Sequence, residues 1–425
     1  MRTQLSVIVA GILLICLPLH DAHAGGIILY ELGTSDVGRA SAGWAARAGD
    51  ASTLFTNPAG MSRLPAQQLL LGGQTTYGNF GFLPNQNTNV AGNDGGNPVE
   101  WVPTGSVFYT HALGSRWHAG IGTFSYFGLA AEYDQGWLGR YYVQKTHLIG
   151  LSVMPAVSYR ANEHFSLGAG LNWMFGFLGQ ENALRNVLQQ KDATFKLDDN
   201  TQGFGADVGA LWEFNDRSRV GVSYVSQVKL DFSDVPEITG SSPVWDAVLS
   251  RAGILGASID LGIHVPHMVM ASGYHELSDR WSVMGNVGWQ NWNKFGKVDV
   301  AVADTLLATT TDLHYKDTWH GALGVEYNTM KKWIVTGGIA YDSSPVDDQY
   351  RTVTLPMGEI WRFGLGGTWT MNETMRLGLA YQLAWMGNMT VDQYRQIGTQ
   401  IINRVSGDFA STAMHAIALN LTWDI

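Results

Sequence analysis

The residues able to do chemistry are few and do not converge. His264 and His267 flank Val265-Pro266, and His314 and His320 stand apart, so neither pair makes up a metal-ligand set. There is no Gly-x-Ser-x-Gly nucleophile elbow. Gly296-Lys297 has neither the leading glycine nor the following Ser or Thr of a phosphate loop. A hydrolase carried on a membrane barrel would need a Ser and a His on its lipid face, and no such pair stands out. Asp342 with Lys316 or Arg351 reads as an interior ion pair with a structural role. The single cysteine, Cys16, falls in an apolar leader, which leaves the mature chain without thiol chemistry or disulfides. This inventory describes a protein that is not an enzyme and carries no cofactor and no metal.

What the elements must position is therefore a path or a surface. Charged residues make up 15% of the chain, aromatics 11%, and there are 51 glycines among 425 residues, a strand-and-turn composition. The net charge of -10 excludes the basic stripe that nucleic acid requires. Arg2, the apolar run Leu5 to Leu19 and the small-x-small site Ala22-His23-Ala24 predict a signal peptide over residues 1–24. No later stretch offers about 18 consecutive apolar residues, so any membrane crossing must be made by strands.

Alternation over about ten residues supports such strands. Ile417, Leu419, Leu421, Trp423 and Ile425 interleave with Ala418, Asn420, Thr422 and Asp424, and the pattern recurs at Leu377 to Trp385, Trp333 to Asp342 and Phe165 to Trp173. No charge falls on the apolar face of these runs, where one at mid-bilayer would cost about 2–4 kcal/mol. Six short polar turns, near residues 114–116, 161–164, 215–217, 278–280, 329–331 and 372–374, alternate with seven longer segments. Those segments fall at about 79–102, 128–145, 179–203, 232–264, 293–316, 343–357 and 387–412. The count predicts an all-β fold, a transmembrane antiparallel β-barrel of about 14 strands over residues 67–425, with both chain ends on the short-turn side. Aromatics beside the short turns, such as Tyr109 and Trp117 or Tyr327 and Trp333, read as an interfacial girdle.

The stretch Gly38 to Met61 belongs to neither leader nor strand. It is rich in Ala and Gly and ends at Asn57-Pro58-Ala59-Gly60, where the proline biases Asn57 away from helix. It reads as a compact insert, residues 25–66, plugging a lumen that would otherwise leak. The segments around Asn182 to Gln190 and Val244 to Leu255 place apolar residues at helical spacing on exposed loops, either as a greasy capture groove or as a lid.

Gly38-Arg39-Ala40 with Asn57-Pro58-Ala59, Tyr126 to Tyr133, Val228 to Phe232 and Gly338 to Val346 together resemble the long-chain fatty acid outer-membrane transporters, the FadL family. The resemblance runs from about Gly25 to the last strand. It implies a fourteen-stranded barrel of a Gram-negative outer membrane, closed by an N-terminal hatch and passing hydrophobic compounds inward without an energy source. It also implies a kink in the third strand, here Tyr126, Phe127, Gly128 and Leu129, as a lateral exit, and hatch residues Asn57, Pro58, Ala59 and Gly60 that shift. The family lysine that contacts the ligand carboxylate matches Lys316. Its companion arginine is absent, with Asn182 about where it belongs, so a neutral aromatic hydrocarbon stands as the alternative to a fatty acid. The expected surroundings are a hydrophobic small molecule, outer-membrane lipid and lipopolysaccharide, and the protein is read as a monomer. A general porin, and a barrel-borne enzyme or adhesin, are the readings from other classes.

Overall fold

The computed structural model describes residues 30–185, 191–251, 255–302, 308–397 and 399–425. The signal peptide, the first five residues of the expected hatch, and the loop positions Val187, Leu188 and Ile254 lie outside the described residues, as do the side chains of Trp245, Val248 and Leu249.

Fourteen strands form the wall: β1 (Gln67–Asn79), β2 (Trp101–Ala112), β3 (Trp117–Glu132), β4 (Lys145–Arg160), β5 (Phe165–Leu184), β6 (Ala193–Asn215), β7 (Ser218–Val225), β8 (Met268–Glu276), β9 (Trp281–Gln290), β10 (Thr318–Asn328), β11 (Trp333–Asp342), β12 (Ile360–Thr370), β13 (Met375–Ile397) and β14 (Gln400–Asp424). Each pairs antiparallel with its neighbours in sequence. β1 and β14 close the cylinder in a register running from Gln68 opposite Asp424 to Asn79 opposite Ala413. Closure leaves no terminal strand with an open edge, the condition for a sheet to live in lipid.

The side-chain period decides which face is which. Leu379, Leu419, Ile417, Trp333, Val335 and Leu171 are exposed on the outside, while Asn172, Gln382, Asn420 and Thr422 are buried on the inside. The six short turns fall where the sequence places them. Two of the long segments differ. Residues 179–184 with 193–203, and 387–397 with 400–412, are extensions of the wall, β5 pairing with β6 as far as Leu184 opposite Ala193 and β13 with β14 as far as Ile397 opposite Gln400. Past the lipid band the ladder no longer needs one greasy face, so alternation fades while backbone pairing continues.

A second sheet lies at the long-loop end, in the order Ala308–Asp312, Lys297–Val302, Ile259–Val265 and Val228–Asp234. Leu230, Phe232, Ile263 and Val265 on it are buried with the main core. Of the apolar residues singled out between Val244 and Leu255, the two whose side chains are described, Val244 and Leu255, are exposed.

Candidate functional site

Residues from Tyr30 to Leu64 occupy the inside of the cylinder, almost wholly buried. A short turn of helix, Ser35–Arg39, is started by the Thr34 hydroxyl accepting from the Asp36 amide and stopped by Ala40 in the left-handed region. It packs on β12, β13 and β11. A second turn, Pro58–Arg63, is capped by Asn57, whose Oδ1 accepts from the Ala59 amide at 3.1 Å. The Asn57 amide group donates to the Ala45 carbonyl at 2.6 Å and to the Ala210 carbonyl of β6 at 3.0 Å. One side chain thereby folds the insert and ties it to the wall.

Charge completes the anchorage. Arg39 reaches Asp36 at 2.7 Å and Glu326 of β10 at 2.9 Å, and Arg47 reaches the same Glu326 at 3.0 Å and Asp50 at 3.1 Å. Arg219 of β7 donates to the Ala46 and Arg47 carbonyls, and Arg63 pairs with Glu213 of β6. Burial alone would push the Asp50 carboxyl up; Arg47, with the Ser52 and Ser35 hydroxyls, outweighs it and holds the group well below the usual carboxylate range.

The wall is interrupted at one place beside this insert. β2 and β3 pair only from Ala112 opposite His118 to Val107 opposite Thr123, although β2 continues along β1 to Trp101. Beyond Thr123 the third strand carries one extra residue, since Phe124 faces Ser152 and Phe127 faces Gly150 of β4. This β-bulge swings Phe124 to Ala131 away from β2 while pairing with β4 resumes to Glu132 opposite Lys145. The Ser125 hydroxyl donates to the Gly150 carbonyl at 2.9 Å, filling the acceptor that the bulge exposes. At the far end the Glu132 amide donates to the Pro98 carbonyl, so the missing rungs make a bounded slot, not a split. The bend lies at Ser125 and Tyr126, two residues before Gly128, which is back in register opposite Ile149. A side chain on Gly128 would meet open space.

Behind the slot is a narrow, partly enclosed cavity. Leu129, Ala131, Val99, Trp292, Leu355 and Met386 supply its apolar wall, and Tyr30, Gln290, Thr318, Asp342 and Arg362 gather at its polar side. Arg362 is buried, pairs with Glu31 and donates to Asp342 at 2.8 Å, while His320 holds the other Asp342 oxygen at 2.7 Å. From Tyr30 a chain of rings runs through Trp44 (5.3 Å between centroids) to Phe55 (5.8 Å), and from Phe55 to Phe124 and Tyr126 at the bulge (4.4 and 4.9 Å). Cavity and slot are thus joined both directly, through Leu129, and by an aromatic file through the insert.

Of the residues singled out in the sequence, Tyr126 sits in the bulge and Leu129 lines the cavity, whereas Asn57 to Gly60 are buried, bear on β5 and β6 and are not part of the cavity lining. Lys316 is about half exposed, pairs with Asp347, and is not part of the cavity lining. Asp342 finds neither Lys316 nor Arg351; its partners are Arg362 and His320. Arg362 was legible as an inward charge between the outward Trp361 and Phe363, but the alternation says nothing of where along the lumen it lies. His320, likewise isolated in sequence, is brought to Asp342 by strand register alone.

One inward acid remains. Asp207 of β6 is 1% exposed and neither carboxylate oxygen has a hydrogen-bond partner among the described residues. A buried acid without partners costs stability. Asp207→Asn is expected to raise resistance to urea unfolding by about 1–3 kcal/mol; a lower unfolding midpoint would show that the carboxylate is satisfied in solution.

The chain matches the family model described as outer membrane protein transport protein (OMPP1/FadL/TodX) over residues 18–424. It is 27% identical over 390 residues to the long-chain fatty acid transport protein of Salmonella typhi, covering 85% of this chain and 88% of that one. Among solved structures, a Pseudomonas aeruginosa FadL homologue superimposes with a TM-score of 0.84 at 19% identity, covering 94% of this chain and all of that one. The P. putida toluene transporter TodX superimposes with a TM-score of 0.66 at 16% identity, covering 95% and 99%. At these identities the two structures establish the fold.

Proposed function

We propose that this chain, which belongs to the OMPP1/FadL/TodX family of outer-membrane transport proteins, takes a hydrophobic compound from the outside into the cavity at Leu129 and releases it sideways into the membrane through the slot between β2 and β3. The family fixes the coarser statement: the protein is an outer-membrane transporter of hydrophobic compounds in a Gram-negative bacterium, and not an enzyme. The observation that carries the finer one is the slot, bounded at both ends, opening directly beside an apolar cavity.

Energetics favour a sideways exit. Each buried methylene is worth about 0.8 kcal/mol, so ejecting an apolar body into water would forfeit what the cavity gained, whereas passage into hydrocarbon does not. Residues 25–66 act as the hatch, the Asn57 to Gly60 turn and the Arg39, Arg47 and Glu326 cluster holding it while the compound passes along Phe55. The protein works as a monomer surrounded by outer-membrane lipid and lipopolysaccharide.

For the substrate we infer a neutral apolar compound. Arg362, the one cation among the described residues that line the cavity, is already engaged by two carboxylates, Glu31 and Asp342, and so has little left for a third. A fatty acid is the second reading, supported by the name of the Salmonella typhi relative. Equilibrium binding of toluene and of oleate to the purified protein separates them. The expected result is toluene binding at least tenfold tighter, relative to each compound's partition into detergent, than oleate binding. Oleate binding that is tighter and falls on Lys316→Ala would reverse the assignment.

A further inference from the structure

We propose that the cavity has a second doorway, placed at the level of the outer aromatic girdle between the 343–359 loop and β13, through which a neutral hydrophobe already dissolved in the outer face of the membrane enters sideways. The proposal rests on the uptake reading above and adds to it the side from which the cavity is loaded.

Gly358 and Met386 line the cavity on one side and, on the other, a space open at the surface between Trp361 and Trp385. Only thin, adjustable material separates the two. A Cβ built on Gly358 would lie 3.2 Å from the Met389 sulfur, so the partition there is a glycine against a methionine. Methionine side chains are unbranched and re-pack at low cost. The sheet is also irregular at this point. The β13–β14 register slips between Trp385 and Gly387 and again between Gly387 and Met389, and Gly387 has φ +67°. On the other side of β13, where the doorway lies, pairing with β12 ends at Trp361 opposite Trp385, so among the described residues no wall-strand rungs seal the wall from Met386 onward.

Two side chains tie the loop to β13 and hold the partition shut: Gln393, whose Oε1 accepts from the Val353 amide at 3.0 Å, and Arg351. Arg351 is buried, donates from Nε to the Met357 carbonyl at 2.6 Å and from Nη1 to the Thr390 carbonyl at 2.8 Å, and so pins the loop to β13. Its remaining partner is Asp348 at 2.7 Å, on the exposed rim.

Position and charge choose the occupant. Tyr341 and Trp361 are in contact at 4.9 Å and Trp385 is exposed beside them, the signature of the lipid interface. Asp347, Asp348 and Glu359 line the same space with Arg351, and even with Lys316 paired to Asp347 the acids are in excess, which disfavours carboxylates and leaves a neutral hydrophobe indifferent.

The test is a reversible bolt. In the full-length protein in detergent, Gly358→Cys with Met389→Cys places two thiols at the partition. Loading is followed by stopped-flow fluorescence with N-phenyl-1-naphthylamine, a neutral apolar dye. The oxidised protein is expected to load at least fivefold more slowly than wild type, to reach the same final occupancy, and to recover the wild-type rate on reduction. Gly358→Trp, which needs no crosslink, should slow loading in the same way. Wild-type loading rates in both the crosslinked pair and Gly358→Trp would overturn the doorway while leaving uptake through the cavity intact. Failure of the wild-type protein to bind the dye at all would instead overturn the uptake reading, and the doorway with it.

Discussion

Removal of Ser125 is expected to lower uptake of a hydrophobic compound by whole cells at least tenfold, while the barrel still folds and its cavity still binds the compound. Ser125 and Tyr126 stand opposite the single residue Leu151 of β4, so deleting one residue returns Phe124 and Phe127 to even register with Ser152 and Gly150. The strand then has no reason to leave β2, and the backbone groups of Trp101 to Ser106 that face the slot regain partners. An unpaired amide or carbonyl at membrane depth costs several kcal/mol, so closure is downhill once the extra residue is gone. The change separates passage from capture: equilibrium binding of toluene to the purified deletion variant should match wild type. Undiminished uptake by a correctly folded deletion variant would mean that the compound leaves by another route.

The second large effect concerns the insert. The lumen face of the wall is glycine at several of the points where the insert lies closest to it. A Cβ on Gly338 would coincide with the Arg39 carbonyl, on Gly209 with the Asn57 side chain and on Gly221 with the Ala45 carbonyl. A branched residue at these points cannot coexist with the insert in place, and overpacking of this kind costs about 1–3 kcal/mol per site. Gly338→Val and Gly209→Val together are expected to displace the segment and leave an open pore. Planar bilayers should then show steady ion conductance absent from wild type, and cells should become sensitive to large polar antibiotics. Normal conductance in a double variant with intact heat-modifiable mobility would show that the segment does not obstruct the lumen.

How much of this was legible beforehand follows from what each signal encodes. Membrane strands announce themselves because lipid imposes alternation, as in Leu377 to Trp385 and Ile417 to Ile425, and short turns announce themselves because they must be polar and tight. The same logic fails past the lipid, where the β5–β6 and β13–β14 hairpins run on without a greasy face and read as loops. The resemblance puts the kink at Tyr126 to Leu129, and the bulge overlaps that stretch only at Tyr126. The bulge is an extra residue at Ser125 and Tyr126, and an insertion of one leaves no compositional trace. The cavity was the least legible part. Tyr30, Gln290, the stretch from Leu355 to Arg362, and Met386 are separated by tens to hundreds of residues and meet only through barrel closure, while Lys316, marked out by resemblance, turns toward Asp347 on the exposed loops.

The sideways exit is tested most directly by trapping the compound on its way out. A toluene analogue carrying a diazirine, loaded into outer-membrane vesicles that contain the protein and photolysed during uptake, leaves covalent marks that mass spectrometry can map. The account predicts adducts on Val102 and Ser106 of β2 and on Phe124, Tyr126 and Leu129 of β3, lost when Ser125 is deleted. Adducts confined to the short turns at Arg116, His164 and Arg217, with the slot unmarked, would contradict it.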